Sequence, residues 1–164
     1  MLHRRALVAI LVGGLAAGAF DIVYAMFLTL SRGNSVTVLF QFIASGLFGK
    51  AAFDAGAGAA LAGLALHFAI ALAIAAIYVG ACQFAAARPL RENPLLAGPL
   101  FGVAVCFVMR EIVVPLSRAP IPATGLRLSY AELTAMMFLV GLPIALAEWK
   151  FDTAYGSRPR TTIW

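Results

Sequence analysis

The sequence predicts an all-α integral membrane protein: a four-helix transmembrane bundle with an additional short interfacial or re-entrant helix. Three observations carry that expectation. Hydrophobic residues make up 63% of the 164-residue chain and charged residues only 12%, against roughly 25% charged in a soluble domain. So little charge cannot coat a water-facing surface, and the mean hydropathy of +0.96 excludes disorder, which requires low hydrophobicity. The apolar residues also collect in runs near the ~20 residues needed to cross a bilayer, separated by short loops containing Gly, Pro and Arg.

The first span is expected over residues 6–30. It follows His3, Arg4 and Arg5 and is broken only by Asp21. Its length exceeds the roughly 7–15-residue core of a signal peptide, so a retained helix is expected despite the small-residue pattern Ala17-Gly18-Ala19. Residues 31–35 read as a turn. Residues 36–49 are apolar but too short to span, so they read as the interfacial or re-entrant piece; Gln41, Ser45 and Gly46 would line a cavity if it re-enters. Asp54 is a candidate N-cap for the next helix.

The second span is expected over residues 58–86, with His67 inside. Arg88 to Pro94 form a polar, proline-bounded loop. The third span covers 95–116 and carries Arg110 and Glu111 deep in an apolar run. A proline-rich loop follows. The fourth span covers 130–149, opened by a Ser129-x-x-Glu132 capping box, and Pro143 within it predicts a kink or local unwinding. The whole chain thus reads as a single membrane domain.

Four spans place both termini on one side. That side carries Arg4, Arg5, Arg88, Arg91, Lys150, Arg158 and Arg160, against Arg32, Lys50, Arg118 and Arg127 on the other. The excess of cations predicts cytoplasmic termini. The same placement at helix ends accounts for the net charge of +5 without a nucleic-acid partner. Cys82 and Cys106 lie in apolar runs with no CxxC and read as small buried side chains.

Helices in lipid associate through close packing and polar contacts, because lipid tails are as apolar as leucine. Small residues at a spacing of four supply the close approach: Gly14 and Gly18 in the first span, Gly63 in the second, Gly98 and Gly102 in the third. At 100° per residue Asp21 falls on the Gly14–Gly18 stripe and His67 on the Gly63 stripe, so both point at partner helices. Arg110 flanks the Gly98–Gly102 stripe, and Glu111 lies roughly opposite Gly102, so these two charges are expected to diverge. Asp21 and Arg110 stand at similar depths, about 22 Å into their spans. Charges there are costly unless paired, so Asp21–Arg110 is expected as the central pair, with His67 and Glu111 as further partners and Glu132 nearby. The pair reads first as a structural lock and second as part of a transport path.

The pattern resembles the uncharacterised small bacterial inner-membrane proteins of the YagU type. The matching features are Gly14-Leu15-Ala16-Ala17-Gly18, Leu66-His67-Phe68, Gly98, and Val113-Val114-Pro115-Leu116 followed by a proline-rich loop and Glu132. The resemblance implies a multi-pass inner-membrane location and no defined activity.

Motifs of hydrolases, nucleotide-binding loops and metal proteases are missing from the sequence. No metal or other cofactor is therefore expected, and no catalytic residue. The leading expectation is a non-enzymatic structural or accessory membrane subunit, or a small homo-oligomer, with the lipid bilayer and a larger membrane complex as partners. The alternative is a proton, ion or small-solute channel or transporter using the polar cluster.

Overall fold

The computed structural model describes residues 2–84, 88–120 and 129–151. Within them the chain is helical and holds no strand. The elements are α1 (Leu2–Ser31), α2 (Val36–Phe48), a 3-10 turn (Gly49–Phe53), α3 (Gly56–Ala81), the short α4 (Arg88–Glu92), α5 (Pro94–Leu116) and α6 (Tyr130–Phe151). Five stretches are long and apolar enough to cross a membrane: Arg4–Ser31, Val36–Phe53, Gly56–Ala81, Pro94–Leu116 and Tyr130–Phe151. The sequence expectation was four, so Val36–Phe53 is the segment that needs explanation.

Packing fixes the helix directions. Gly14 lies against Ala71 and Leu72, and Gly18 against Phe68 and Ala71. Positions rise on α1 as they fall on α3, so the two are antiparallel. Gly18 stands about 20 Å below the end of α1, and Phe68 about 18 Å from the start of α3, at 1.5 Å per residue. The end of α1 and the start of α3 are therefore level. Gly13 against Ile144 and Ala147, with Asp21 near Glu132, sets α1 antiparallel to α6, and Gly98 against Leu142 with Gly102 against Met137 sets α5 antiparallel to α6. The result is four antiparallel helices in which α1 touches α3 on one side and α6 on the other, with α5 beyond α6.

The α2 segment leaves and returns to the same end of this bundle. Ser35 caps it, its hydroxyl accepting from the Val38 N–H at 3.3 Å. Its 13 residues reach about 20 Å, short of the ~30 Å apolar core. Gly49, at φ +63°, ends it in a conformation that a Cβ disfavours, and its N–H bonds the Ser45 carbonyl. The 3-10 turn then folds back so that Ala52 clusters with Ala44 and Ala59. α2 lies on the first half of α3: Gly63 takes the Phe40 backbone directly against it, and the Gln41 amide donates to the Gly56 carbonyl at 3.2 Å. Gln41 and Ser45 are buried in this packing. The loop after α5 completes the arrangement, with the Arg118 N–H bonded to the Gly46 carbonyl at 2.9 Å.

Two local expectations change: the segment expected as a loop from Arg88 to Pro94 holds the short helix α4, and Asp54 does not cap α3. The residue before α3 is Ala55, with no side-chain cap, and Asp54 closes the 3-10 turn instead. Pro143 produces local unwinding in a specific form, a π-turn over Met136–Gly141. A second π-turn, Met109–Val113, precedes Pro115. A proline ring collides with the carbonyl four residues back; for Pro143 and Pro115 those residues are Leu139 and Glu111, inside the two widened turns.

Between α1, α3 and α6 lies a dry layer of Ala17, Ala75, Val140, Ile144 and Ala145. The outward faces of α1 and α5 carry large apolar residues, among them Leu11, Phe20, Phe27, Leu100, Phe107 and Ile112.

Candidate functional site

Polar groups collect at both ends of the dry layer. Toward the α2 end, α1 contributes Asp21, α3 His67 and α6 Glu132. Each arrives there through a seam that glycine makes narrow. At Gly18 an added Cβ would stand 2.8 Å from the Phe68 ring, and this closeness lets the His67 ring, one residue away, reach α1. His67 Nε2 donates to the Gly18 carbonyl at 2.9 Å, and a carbonyl can only accept, so Nε2 carries the proton. The imidazole also meets Phe68 edge to face at 5.4 Å.

The charged neighbours of Asp21 are His67 and Glu132. This corrects the expected Asp21–Arg110 pair. Arg110 Nε instead bonds Glu111 Oε1 at 3.0 Å, with the arginine 16% and the glutamate 64% exposed. The expected divergence of Arg110 and Glu111 assumed regular α-helix; both lie in the π-turn Met109–Val113, where the angular step differs. Geometry also separates Asp21 from Arg110, because α1 packs on α3 and α6 whereas α5 packs on α6. Glu132 is exposed one turn into α6, where Ser129 caps the helix by accepting from the Ala131 N–H at 3.2 Å. Among the described residues the Glu132 carboxylate makes no hydrogen bond, so the capping box is half formed. Cys106 faces both Glu132 and Arg110.

Four of the predicted seam glycines, Gly14, Gly63, Gly98 and Gly102, sit where backbones meet, and Gly18 sits against the Phe68 ring and the Ala71 methyl group. Gly63 meets the Phe40 backbone, an added Cβ on Gly98 would lie 2.7 Å from Leu142 Cα, and one on Gly102 would lie 2.7 Å from Met137 Cα. Gly13 and Gly141 belong to the same seams. A Cβ on Gly141 would fall 2.7 Å from the Gly102 nitrogen.

The second polar cluster went unpredicted. Glu148, 1% exposed, is buried toward the opposite end with Tyr78 and Cys82, and it acts electrostatically on both. Arg91 of α4 reaches back to donate to the Cys82 carbonyl, and to the Phe84 carbonyl at 3.0 Å. It thereby satisfies carbonyls that the end of α3 leaves open. The Tyr78 hydroxyl donates to the Leu90 carbonyl at 3.3 Å. Burial first, and Glu148 second, push the Cys82 thiol up to about 12. A signal for Glu148 existed: Gly141, Ala145 and Glu148 share one α-helical stripe.

Chemically, the first cluster gathers two carboxylates and an imidazole from three helices. The second fastens α3 to α4. Among the described residues no group of three metal-ligating side chains converges. Comparison with protein-family models, curated proteins and solved structures found no match.

Proposed function

We propose that the chain is a non-enzymatic integral membrane protein of the bacterial inner membrane that works as a small homo-oligomer, either alone or as an accessory subunit of a larger complex. α1, α3, α5 and α6 cross the bilayer, α2 re-enters from one side, and both termini face the cytoplasm. The excess of arginine and lysine at the terminal end favours that orientation, and the resemblance to the YagU type favours the location.

One observation carries the homo-oligomer. The face of α3 turned away from α1 and α2 carries Gly58, Ala62, Ala65, Ala69, Ala73, Ala76 and Gly80 along its middle, with Leu61 and Ile77 exposed at its two edges. All but Ala62, which is half-buried, are exposed. The glycines within the bodies of α1, α5 and α6 are spent on internal seams, but Gly58 and Gly80 have nothing within 4 Å. Neighbouring helices present Leu, Phe and Ile to the outside, so a smooth alanine and glycine ridge on α3 alone suits close approach of a second α3.

The test is disulfide trapping in native membranes. Ala69→Cys should crosslink to a dimer, whereas Leu100→Cys, on the outward face of α5, should not. Ala69→Leu should shift the detergent-solubilised protein from dimer to monomer. A wild-type protein that is strictly monomeric and shows no Ala69→Cys crosslink removes the proposal.

A second reading rests on Asp21, His67 and Glu132 converging from three helices: proton or ion conduction through the α2 end. Proteoliposomes carrying Asp21→Asn or His67→Ala should then lose flux. Flux equal to wild type in both variants ends that reading.

A further inference from the structure

At the terminal end, an open cleft of about 400 Å³ lies between the start of α1 and the end of α6, lined by Arg4, Arg5, Val8 and Phe151. Its chemistry is divided. Two exposed guanidinium groups stand on the first turns of α1, and Lys150 is exposed beside Phe151. Val8 and Phe151 supply an apolar wall. Among the described residues no acidic side chain lines it. A second cleft, lined by Glu92, Asn93, Pro94, Leu95, Leu96, Leu146 and Trp149, differs in the respect that matters to an anion, because its described lining carries a carboxylate and no cation.

Guanidinium groups bind phosphate through paired N–H donors. The N-terminus of a 30-residue helix adds free N–H groups and a favourable dipole. Basic pockets between membrane helices on the cytoplasmic side suit anionic headgroups. We propose that this cleft binds one anionic phospholipid, with Arg4 and Arg5 on the phosphate and Val8 and Phe151 against the glycerol and first methylenes. The assignment rests on the membrane reading above, since only there does the cleft open at headgroup level.

Native mass spectrometry of the full chain in detergent tests it, titrating phosphatidylglycerol against phosphatidylcholine, with inorganic phosphate as a separate arm. Wild type should retain phosphatidylglycerol in preference to phosphatidylcholine. The double variant Arg4→Ala/Arg5→Ala should weaken retention roughly 30-fold, about fivefold for each cation near the surface. Arg4→Lys/Arg5→Lys should fall between the two, keeping charge but losing the paired donors. Arg32→Ala, at the opposite end, should match wild type. Equal retention by wild type and Arg4→Ala/Arg5→Ala overturns the site, as does an equal loss in Arg32→Ala. Displacement of the lipid by millimolar inorganic phosphate would assign the cleft to a free anion and overturn it as well. The same spectra report oligomeric state: a dimer that holds no lipid counts against the cleft alone, and a lipid-bound monomer counts against the oligomer alone.

Discussion

Replacing Gly102 or Gly141 by alanine asks whether α5 and α6 are held by backbone contact. A methyl group on Gly141 would lie 2.7 Å from the nitrogen and 2.9 Å from Cα of Gly102, and against the Gly98 carbonyl oxygen. These are main-chain atoms, so no flexible side chain can move aside and the helices themselves must part. A gap of roughly 0.5–1 Å forfeits about a quarter to a half of each dispersion well. A seam of this kind makes on the order of 50 heavy-atom contacts at about 0.1–0.2 kcal/mol each, so the loss is about 1–5 kcal/mol. Lipid supplies no hydrophobic compensation. The better helix propensity of alanine returns up to about 1 kcal/mol, which leaves a net cost of up to about 4 kcal/mol. Reversible unfolding in mixed micelles with increasing SDS, followed by tryptophan fluorescence, measures it. Gly46→Ala is the control: its methyl group would rest 3.8 Å from Ser117 Cβ, so stability should hold or rise by up to about 1 kcal/mol. If Gly102→Ala and Gly141→Ala unfold at the wild-type SDS fraction, backbone contact is not what joins α5 to α6.

His67→Ala should destabilise the bundle by about 0.6–1.7 kcal/mol, the range for interhelical hydrogen bonds in membranes, measured in the same assay. Glu111→Gln should cost less than about 1 kcal/mol, because its carboxylate is 64% exposed and exposed pairs contribute little. Arg91→Ala should speed amide hydrogen exchange around residues 82–84 and lower stability by about 1–3 kcal/mol, since it uncovers carbonyls at the end of α3. Maleimide labelling of Cys82 in the folded protein should stay slow up to about pH 10, because the thiol is fully buried and its raised pKa keeps it protonated below about 12; rapid labelling at pH 8 would contradict both.

The sequence made depth and facing legible but not partnership. Spacing placed Gly14, Gly18, Gly98 and Gly102 on packing stripes, because small residues four apart can serve little else in lipid. It also put Asp21, His67, Glu132 and Arg110 toward one end, because rise per residue is fixed. Which stripe meets which is a matter of helix order around the bundle, and nothing in one span records its neighbour. α6 stands between α1 and α5, so Asp21 finds His67 and Glu132 while Arg110 turns to Glu111. The π-turns were visible only as prolines, whose effect on Arg110 and Glu111 depends on which carbonyl yields. Glu148 lay on the Gly141–Ala145 stripe but close to the end of its span, where a charge raises no suspicion. The length of residues 36–49 marked them as too short to span, but not the turn-back at Gly49, whose φ is +63°.

The position of α1 between α3 and α6 has a consequence for how the chain matures. α1 can pair with α3 while the ribosome is still adding later segments, yet its other flank stays uncovered until α6 emerges at the far end of translation. For that interval Asp21 lacks the environment it finally shares with Glu132, so a half-made product carries an exposed polar flank that insertion factors or quality-control proteases could read as unfinished.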